Sequence, residues 1–271
     1  MTRFFCLLAC AAFAFPVSSQ AGGKLDDHSL WQESLKEQVF PDTTIQDGSS
    51  FMTLKTPYRA LDAAIVPIAL QFKEPEDIKN VSFVIDHNPS PFVIAIDTSE
   101  PNTHPDVRLR VRIDSYTYLR AIAETKSGEF FQVANFVKAA GGCSAPSLSG
   151  MAEAEKYMGQ MKVKFIERNN GWVKARLMVR HPNYSGFQFD QISRSEIPAH
   201  FIDSVVVSSN GRALFTAEPS ISISENPVFT FLYRESNTNG TVDVAITDNK
   251  GNVYEGSWQV PQDLAEVAAK N

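Results

Sequence analysis

Over most of the chain, apolar residues alternate with polar ones, which is the period of a half-buried strand. In the first half the runs are Phe51–Thr56, Ile65–Phe72, Val81–Asp86, Phe92–Asp97, Val107–Ile113, Tyr118–Glu124 and Glu129–Val137. Turn formers such as Asn88–Pro89–Ser90–Pro91 and Lys126–Ser127–Gly128 separate them. Val107–Ile113 shows the pattern most clearly, with Val107, Leu109, Val111 and Ile113 on one face and Arg108, Arg110 and Arg112 on the other. This predicts a solvated arginine face, with a docking or anion-facing stripe as the alternative. The second half repeats the pattern in Lys162–Glu167, Trp172–Val179, Phe201–Ser208, Arg212–Ala217, Val228–Arg234, Val242–Thr247 and Val253–Val260. Arg168–Asn169–Asn170–Gly171 and Asn210–Gly211 are hairpin signals. The segment His181–Pro198 is polar with scattered aromatics and reads as a protruding hairpin or loop.

Two stretches depart from this period. Ser29–Leu30–Trp31–Gln32 has capping-box spacing, and Trp31, Leu35 and Val39 then fall on one helical face until Phe40–Pro41. Residues 139–160 begin with small residues and Pro146 and continue with good helix formers from Met151. They read as a flexible arm followed by a short helix. The predicted fold is all-β: two immunoglobulin-like antiparallel β-sandwich domains joined by a flexible Gly-Gly-Cys linker, with a short N-terminal helix. The expected division is a signal peptide over 1–21, a first sandwich with its helix over 22–138, the cysteine-bearing linker over 139–160, a second sandwich over 161–262 and a tail over 263–271. Trp31, Trp172 and Trp258 are expected in packing roles.

The first residues change the picture of where the protein acts. Met1–Thr2–Arg3 is followed by an apolar run from Phe4 to Phe15, then by small residues at Ser19 and Ala21. This is the pattern of a secretory signal cleaved near Ala21, and it predicts an exported, periplasmic protein. A lipoprotein reading of Leu7–Leu8–Ala9–Cys10 fits less well, because the apolar run continues past Cys10. No later segment is apolar enough to span a membrane. The formal charge is −6 without a basic block, so neither nucleic acid nor an anionic membrane is an expected partner.

Cleavage removes Cys6 and Cys10 and leaves Cys143 as the single thiol. Exported proteins commonly use cysteines in pairs, so a lone one points to intermolecular pairing or reactivity, or to an inert linker residue. Common catalytic signatures are absent: there is no Cys-x-x-Cys, His-Glu-x-x-His, Gly-x-Ser-x-Gly or phosphate-binding glycine loop. His28, His87, His104, His181 and His200 are separated in sequence and predict no metal site, and no cofactor or catalytic residue is expected. Gly141 and Gly142 precede the cysteine and would give its arm flexibility. With no base beside it, the thiol reads as a substrate-bearing handle served by other enzymes, since a thiolate accepts and releases sulfur by exchange.

Ordered motifs extend this reading. The second half contains His181–Pro182, Gly186–Phe187, Ile197–Pro198–Ala199–His200–Phe201–Ile202, Asn210–Gly211, Ser224–Glu225–Asn226–Pro227 and Asp248–Asn249–Lys250–Gly251. In that order they resemble SoxZ-type domains. Asn88–Pro89–Ser90–Pro91, Leu119–Arg120–Ala121–Ile122–Ala123–Glu124 and Gly141–Gly142–Cys143 resemble SoxY. The resemblance implies a fused sulfur-oxidation carrier, not itself an enzyme, in which Cys143 covalently holds a thiosulfate-derived or related sulfur group. Its implied partners are periplasmic sulfur-oxidation enzymes, or a quinoprotein alcohol dehydrogenase and its c-type cytochrome. Serving the dehydrogenase as an interaction module, with the cysteine incidental, is the alternative function. The family's arm ends the chain in Gly-Gly-Cys-Gly-Gly, whereas here Ser144–Ala145–Pro146 follow and the chain runs on.

Overall fold

The computed structural model describes residues 28–264 except 74, 76, 148–150, 191–192 and 236–239, and only the backbone of 151 and 152. The proposed signal peptide and the end of the tail lie outside the described residues. The first half contributes a helix, π-type over Trp31–Leu35 and α over Lys36–Val39 (α1), and eight strands. These are β1 (Ile45–Asp47), β2 (Met52–Lys55), β3 (Val66–Phe72), β4 (Ile78–Ile85), β5 (Phe92–Asp97), β6 (Thr103–Val111), β7 (Thr117–Thr125) and β8 (Phe130–Val137). After a short helix α2 (Met151–Lys156), the second half adds β9 (Met161–Asn169), β10 (Trp172–Val179), β11 (Phe189–Asp190) and β12 (Ser195–Glu196). It closes with β13 (Ile202–Ser209), β14 (Arg212–Pro219), β15 (Val228–Arg234), β16 (Thr241–Asp248) and β17 (Val253–Gln259).

All the strands expected from the alternation are present, and the two helices lie where expected. The β13–β14 hairpin turns on Asn210 and Gly211, both at positive φ (50° and 73°), as a tight turn matching strand twist requires. Short β1 was not foreseen; it pairs in parallel with β8 from Ile45 opposite Phe130. Trp31 and Leu35 of the helix are buried against Val84 and Ile122, on the face of β4 and β7 turned away from the main core. Trp258 packs partly buried against the core. Trp172 stacks edge-on with His104 at 5.0 Å, with the Arg234 guanidinium 5.0 Å over its ring.

The two sandwich halves are not strung on a tether: they share both of their sheets. One sheet has nine strands in the order β1-β8-β7-β4-β5-β14-β13-β16-β17, and the other six in the order β2-β3-β6-β15-β10-β9. The halves join where β5 pairs with β14 (Ala217 opposite Ile96) and β6 with β15 (Thr230 opposite Arg108). Apart, the halves would leave all four of these strands as open edges, each a template for unwanted pairing. Joined, they enclose one continuous apolar cluster from Leu54 and Leu70 to Val244 and Ile246. Each large apolar side chain so buried stabilises the fold by about 1.5–3 kcal/mol. The segment 139–147 crosses this seam.

Candidate functional site

The cysteine segment leaves β8 and is fastened residue by residue. Lys138 N–H donates to Tyr58 O at 2.8 Å, Gly141 N–H to Asp114 O at 2.7 Å and Gly142 N–H to Ile113 O at 2.9 Å. From the other half, Ser185 Oγ donates to Cys143 O, and Gln188 Nε2 donates to Ala145 O at 2.8 Å. Ser147 Oγ donates to Glu225 Oε2 at 2.8 Å. A buried backbone must have its polar groups satisfied, and here the second half supplies the donors.

The segment expected as a flexible Gly-Gly-Cys linker is here packed into the seam. Cys143 is 1 % exposed. Burial, and then the charge of Asp114, push its thiol up to about 12, against the opposing pull of Arg112. Gly141 does serve conformation, at φ 75°. Gly142 is also required by close packing: a Cβ there would lie 2.1 Å from Ala63 O and 2.5 Å from Ile113 O.

The arginine stripe also divides. Arg108 is exposed, whereas Arg110 is partly buried and its Nη2 donates to Asn226 O at 2.7 Å. Arg112, just past the end of β6, is 1 % exposed. It donates from Nη1 to Gly142 O at 3.2 Å and from Nη2 to Asn183 O at 3.4 Å. Alternation puts all three arginines on one face and cannot tell that the second half covers Arg112 fully and Arg110 in part while Arg108 stays exposed.

The segment His181–Pro198 is likewise only in part a protruding hairpin. Its outer part forms β11 and β12, with Phe187 and Phe189 exposed, but His181, Asn183, Ser185 and Gln188 are buried in the seam. Contrary to their separation in sequence, His181 and His200 converge on Asp248, all ligand-type atoms lying within 4.8 Å of one another. Two imidazoles and a carboxylate can in general take a divalent cation. Here Asp248 Oδ2 already accepts from His200 Nε2 at 2.9 Å, Asn252 Nδ2 at 2.9 Å and Tyr254 Oη at 3.1 Å. His181 Nδ1 accepts from Asn183 N–H at 3.1 Å. The cluster thus acts as a hydrogen-bond hub fastening the turn after β16 to the seam.

The hub makes stability pH-dependent. Burial, helped by His200, lowers the His181 pKa to about 4, against the opposing effect of Asp248. Burial acts to raise Asp248, but hydrogen bonds from Asn252, His200 and Lys250 outweigh it and hold that carboxyl well below the usual range. Folded His181 binds its proton more weakly than an unfolded histidine does, so stability is full above about pH 6.5. It should fall by up to about 3 kcal/mol as pH drops toward 4, and Asp248 continues the loss below about pH 4. Urea unfolding at pH 7, 5.5 and 4 measures this, and His181→Gln should flatten the slope between pH 6.5 and 4.

An all-β pair of half-sandwiches sharing their sheets, with the one cysteine among the described residues clamped at the joint, defines a two-domain scaffold built around that thiol. Residues 36–143 match the sulfur oxidation protein SoxY family, ending on Cys143, and residues 161–259 match the sulphur oxidation protein SoxZ family. The chain is a SoxY–SoxZ fusion. Among solved structures, the sulfur carrier protein SoxY from Chlorobium limicola f thiosulfatophilum is 26% identical at a TM-score of 0.34, covering 38% of this chain and 87% of that one. A β-glycosidase from Bacteroides vulgatus (8% identity) and the β-glucuronidase of Parabacteroides merdae (7%) each cover 77% of this chain at a TM-score of 0.24. This chain spans only 24% of each of those two. At such TM-scores none of the three likenesses bears on function. Among curated proteins no relative matches the chain.

Proposed function

We propose that this fusion is a periplasmic, non-enzymatic carrier that holds a sulfur-containing group covalently on Cys143 for partner enzymes of sulfur oxidation. The observation that carries this reading is the position of Cys143. It is a free thiol on the residue where the SoxY match ends, in a segment outside every strand that is held to both halves by hydrogen bonds and close packing. Because none of its residues belongs to a strand of either sheet, release of the segment would leave both strand ladders intact. With its pKa near 12, the docked thiol is almost wholly protonated at neutral pH. Docking therefore protects it, and loading requires release. Among the described residues no helix is long and apolar enough to cross a membrane.

The test is mass spectrometry of protein isolated from its host under sulfur-oxidising growth. A reductant-labile mass on Cys143 is expected; a uniformly free thiol under all growth conditions would overturn the proposal. The burial of Cys143 favours a second reading, an accessory module for a periplasmic quinoprotein alcohol dehydrogenase or its c-type cytochrome with the cysteine incidental. Cys143→Ser separates the two. A carrier loses all activity without its thiol, whereas an accessory module keeps it.

A further inference from the structure

We propose that Arg112 forms a buried anion site in the seam, which receives the negatively charged end of the group borne by Cys143. The inference rests on the carrier reading for its cargo, but its evidence is independent of that reading. Arginine is rarely buried unless its charge is paired. Among the described residues two arginines are fully buried, which allows a direct comparison. Arg120 is paired: its Nε and Nη2 reach the Asp86 carboxylate at 2.6–3.0 Å. Arg112 is equally buried, yet among the described residues no carboxylate lies within ion-pair distance of it.

Its guanidinium has five N–H donors. Two contacts, to the Gly142 and Asn183 carbonyls, are used at 3.2 and 3.4 Å, and Nε has no partner. Charge-assisted bonds run at about 2.7–2.9 Å, so these are long contacts to neutral acceptors. Burial lowers the Arg112 pKa, against the opposing charges of Glu225, Cys143 and Asp62.

The position of this unsatisfied cation points to its ligand. One of its two acceptors is the carbonyl directly before Cys143, and its charge favours the ionised form of that sulfur. A planar guanidinium fork pairs best with two oxygens of one oxyanion, so the cargo class is a sulfur bearing an oxyanion, such as a sulfonate. A neutral or cationic group on the same sulfur would leave Arg112 with only the more distant charges of Glu225 and Asp62. Arg112 would then be a positioning and selectivity residue that draws the loaded segment back into the seam.

Paired charged reagents test this on the full chain. An anionic (sulfonatoethyl) and a cationic (trimethylammonioethyl) methanethiosulfonate react identically with Cys143. The thiolate attacks the sulfenyl sulfur, a disulfide forms, the S–SO2 bond breaks and methanesulfinate leaves with the electron pair; the thiol proton goes to solvent. Both reagents need the same opening of the seam. Opening cancels in the ratio of their rates, which, divided by the ratio for a free small thiol, reports the charge beside the sulfur as it reacts, so a preference requires Arg112 to stay near the segment when the seam opens.

The wild type should favour the anionic reagent at least tenfold on this scale. Arg112→Met should bring the ratio to about one, and Arg112→Lys should keep most of it. Circular dichroism establishes that each variant is folded, and the lysine variant preserves the comparison if the methionine variant is not. A wild-type ratio near one, a ratio unchanged in Arg112→Met, or no reaction with either reagent over a day would each overturn the site. A clear charge preference in protein that carries no adduct in its host would sink the carrier reading and leave the anion site standing.

Discussion

Gly142→Ala should raise the rate of Cys143 alkylation by iodoacetamide at pH 7 by at least about 30-fold. The added Cβ would meet Ala63 O at 2.1 Å, Ile113 O at 2.5 Å and Ala63 C at 2.6 Å. All three are backbone atoms of the sandwich, so the cysteine segment must move away, breaking its bond to Ile113 O. Release brings the thiol from about 12 back toward its ordinary value of 9.0. The thiolate fraction then rises roughly 1000-fold, and the lower basicity of the released thiolate takes back a factor of about 30. What remains is about 30-fold from ionisation, and improved access adds to it. Gly141→Ala is the control. No atom lies within 4 Å of a Cβ there, and only the positive φ is disturbed, at a cost of about 1 kcal/mol. Stopped-time alkylation with peptide mass mapping gives both rates. Equal rates for Gly142→Ala and the wild type would mean that the segment is not held in the seam as described.

The second large effect lies away from the thiol, in the seat of the N-terminal helix. Asp86→Asn should destabilise the protein by about 3–5 kcal/mol, because it leaves the buried Arg120 cation without its counter-charge. The pair is almost wholly inaccessible, with side chains 2 % and 0 % exposed for Arg120 and Asp86. Arg120 also lies 4.6 Å from the Trp31 ring centre, so a displaced guanidinium disturbs the helix as well. For a chain of this size the melting temperature should fall by roughly 10 °C. Replacing both partners by leucine or methionine of similar volume should recover most of that loss, since an apolar pair needs no partner charge. Thermal melts followed by circular dichroism compare the two variants. A double variant no more stable than Asp86→Asn would show that the charges are not what holds this site.

The strands were legible because their cause is local. Alternation such as Val107, Leu109 and Val111 marks one buried face, and Asn210–Gly211 supplies the positive φ of a tight hairpin. The short pieces were not legible. β1 has three residues and β11 two, too few for any period to register. Of the candidate site, the lone thiol and its two glycines were visible, but the work of Gly142 was not. Its neighbour Ala63 is far away in sequence, and a glycine required by close packing looks the same in a string as one placed for flexibility.

By itself the sequence determined an all-β chain of two sandwich halves, a short helix ahead of them, a joint at 139–160 and one thiol within that joint. Each follows from residue type and spacing over a few neighbours. The tertiary structure alone decided that the halves share their sheets, that Cys143 is buried between them and that Arg112 sits beside it with no carboxylate among the described residues at ion-pair distance. It also brought His181 and His200 together on Asp248. Those outcomes depend on partners such as Arg112 and Asn183, 71 residues apart, which meet only when β5 pairs with β14 and β6 with β15. Burial is a property of what comes to lie on top of a residue, and no local period encodes it.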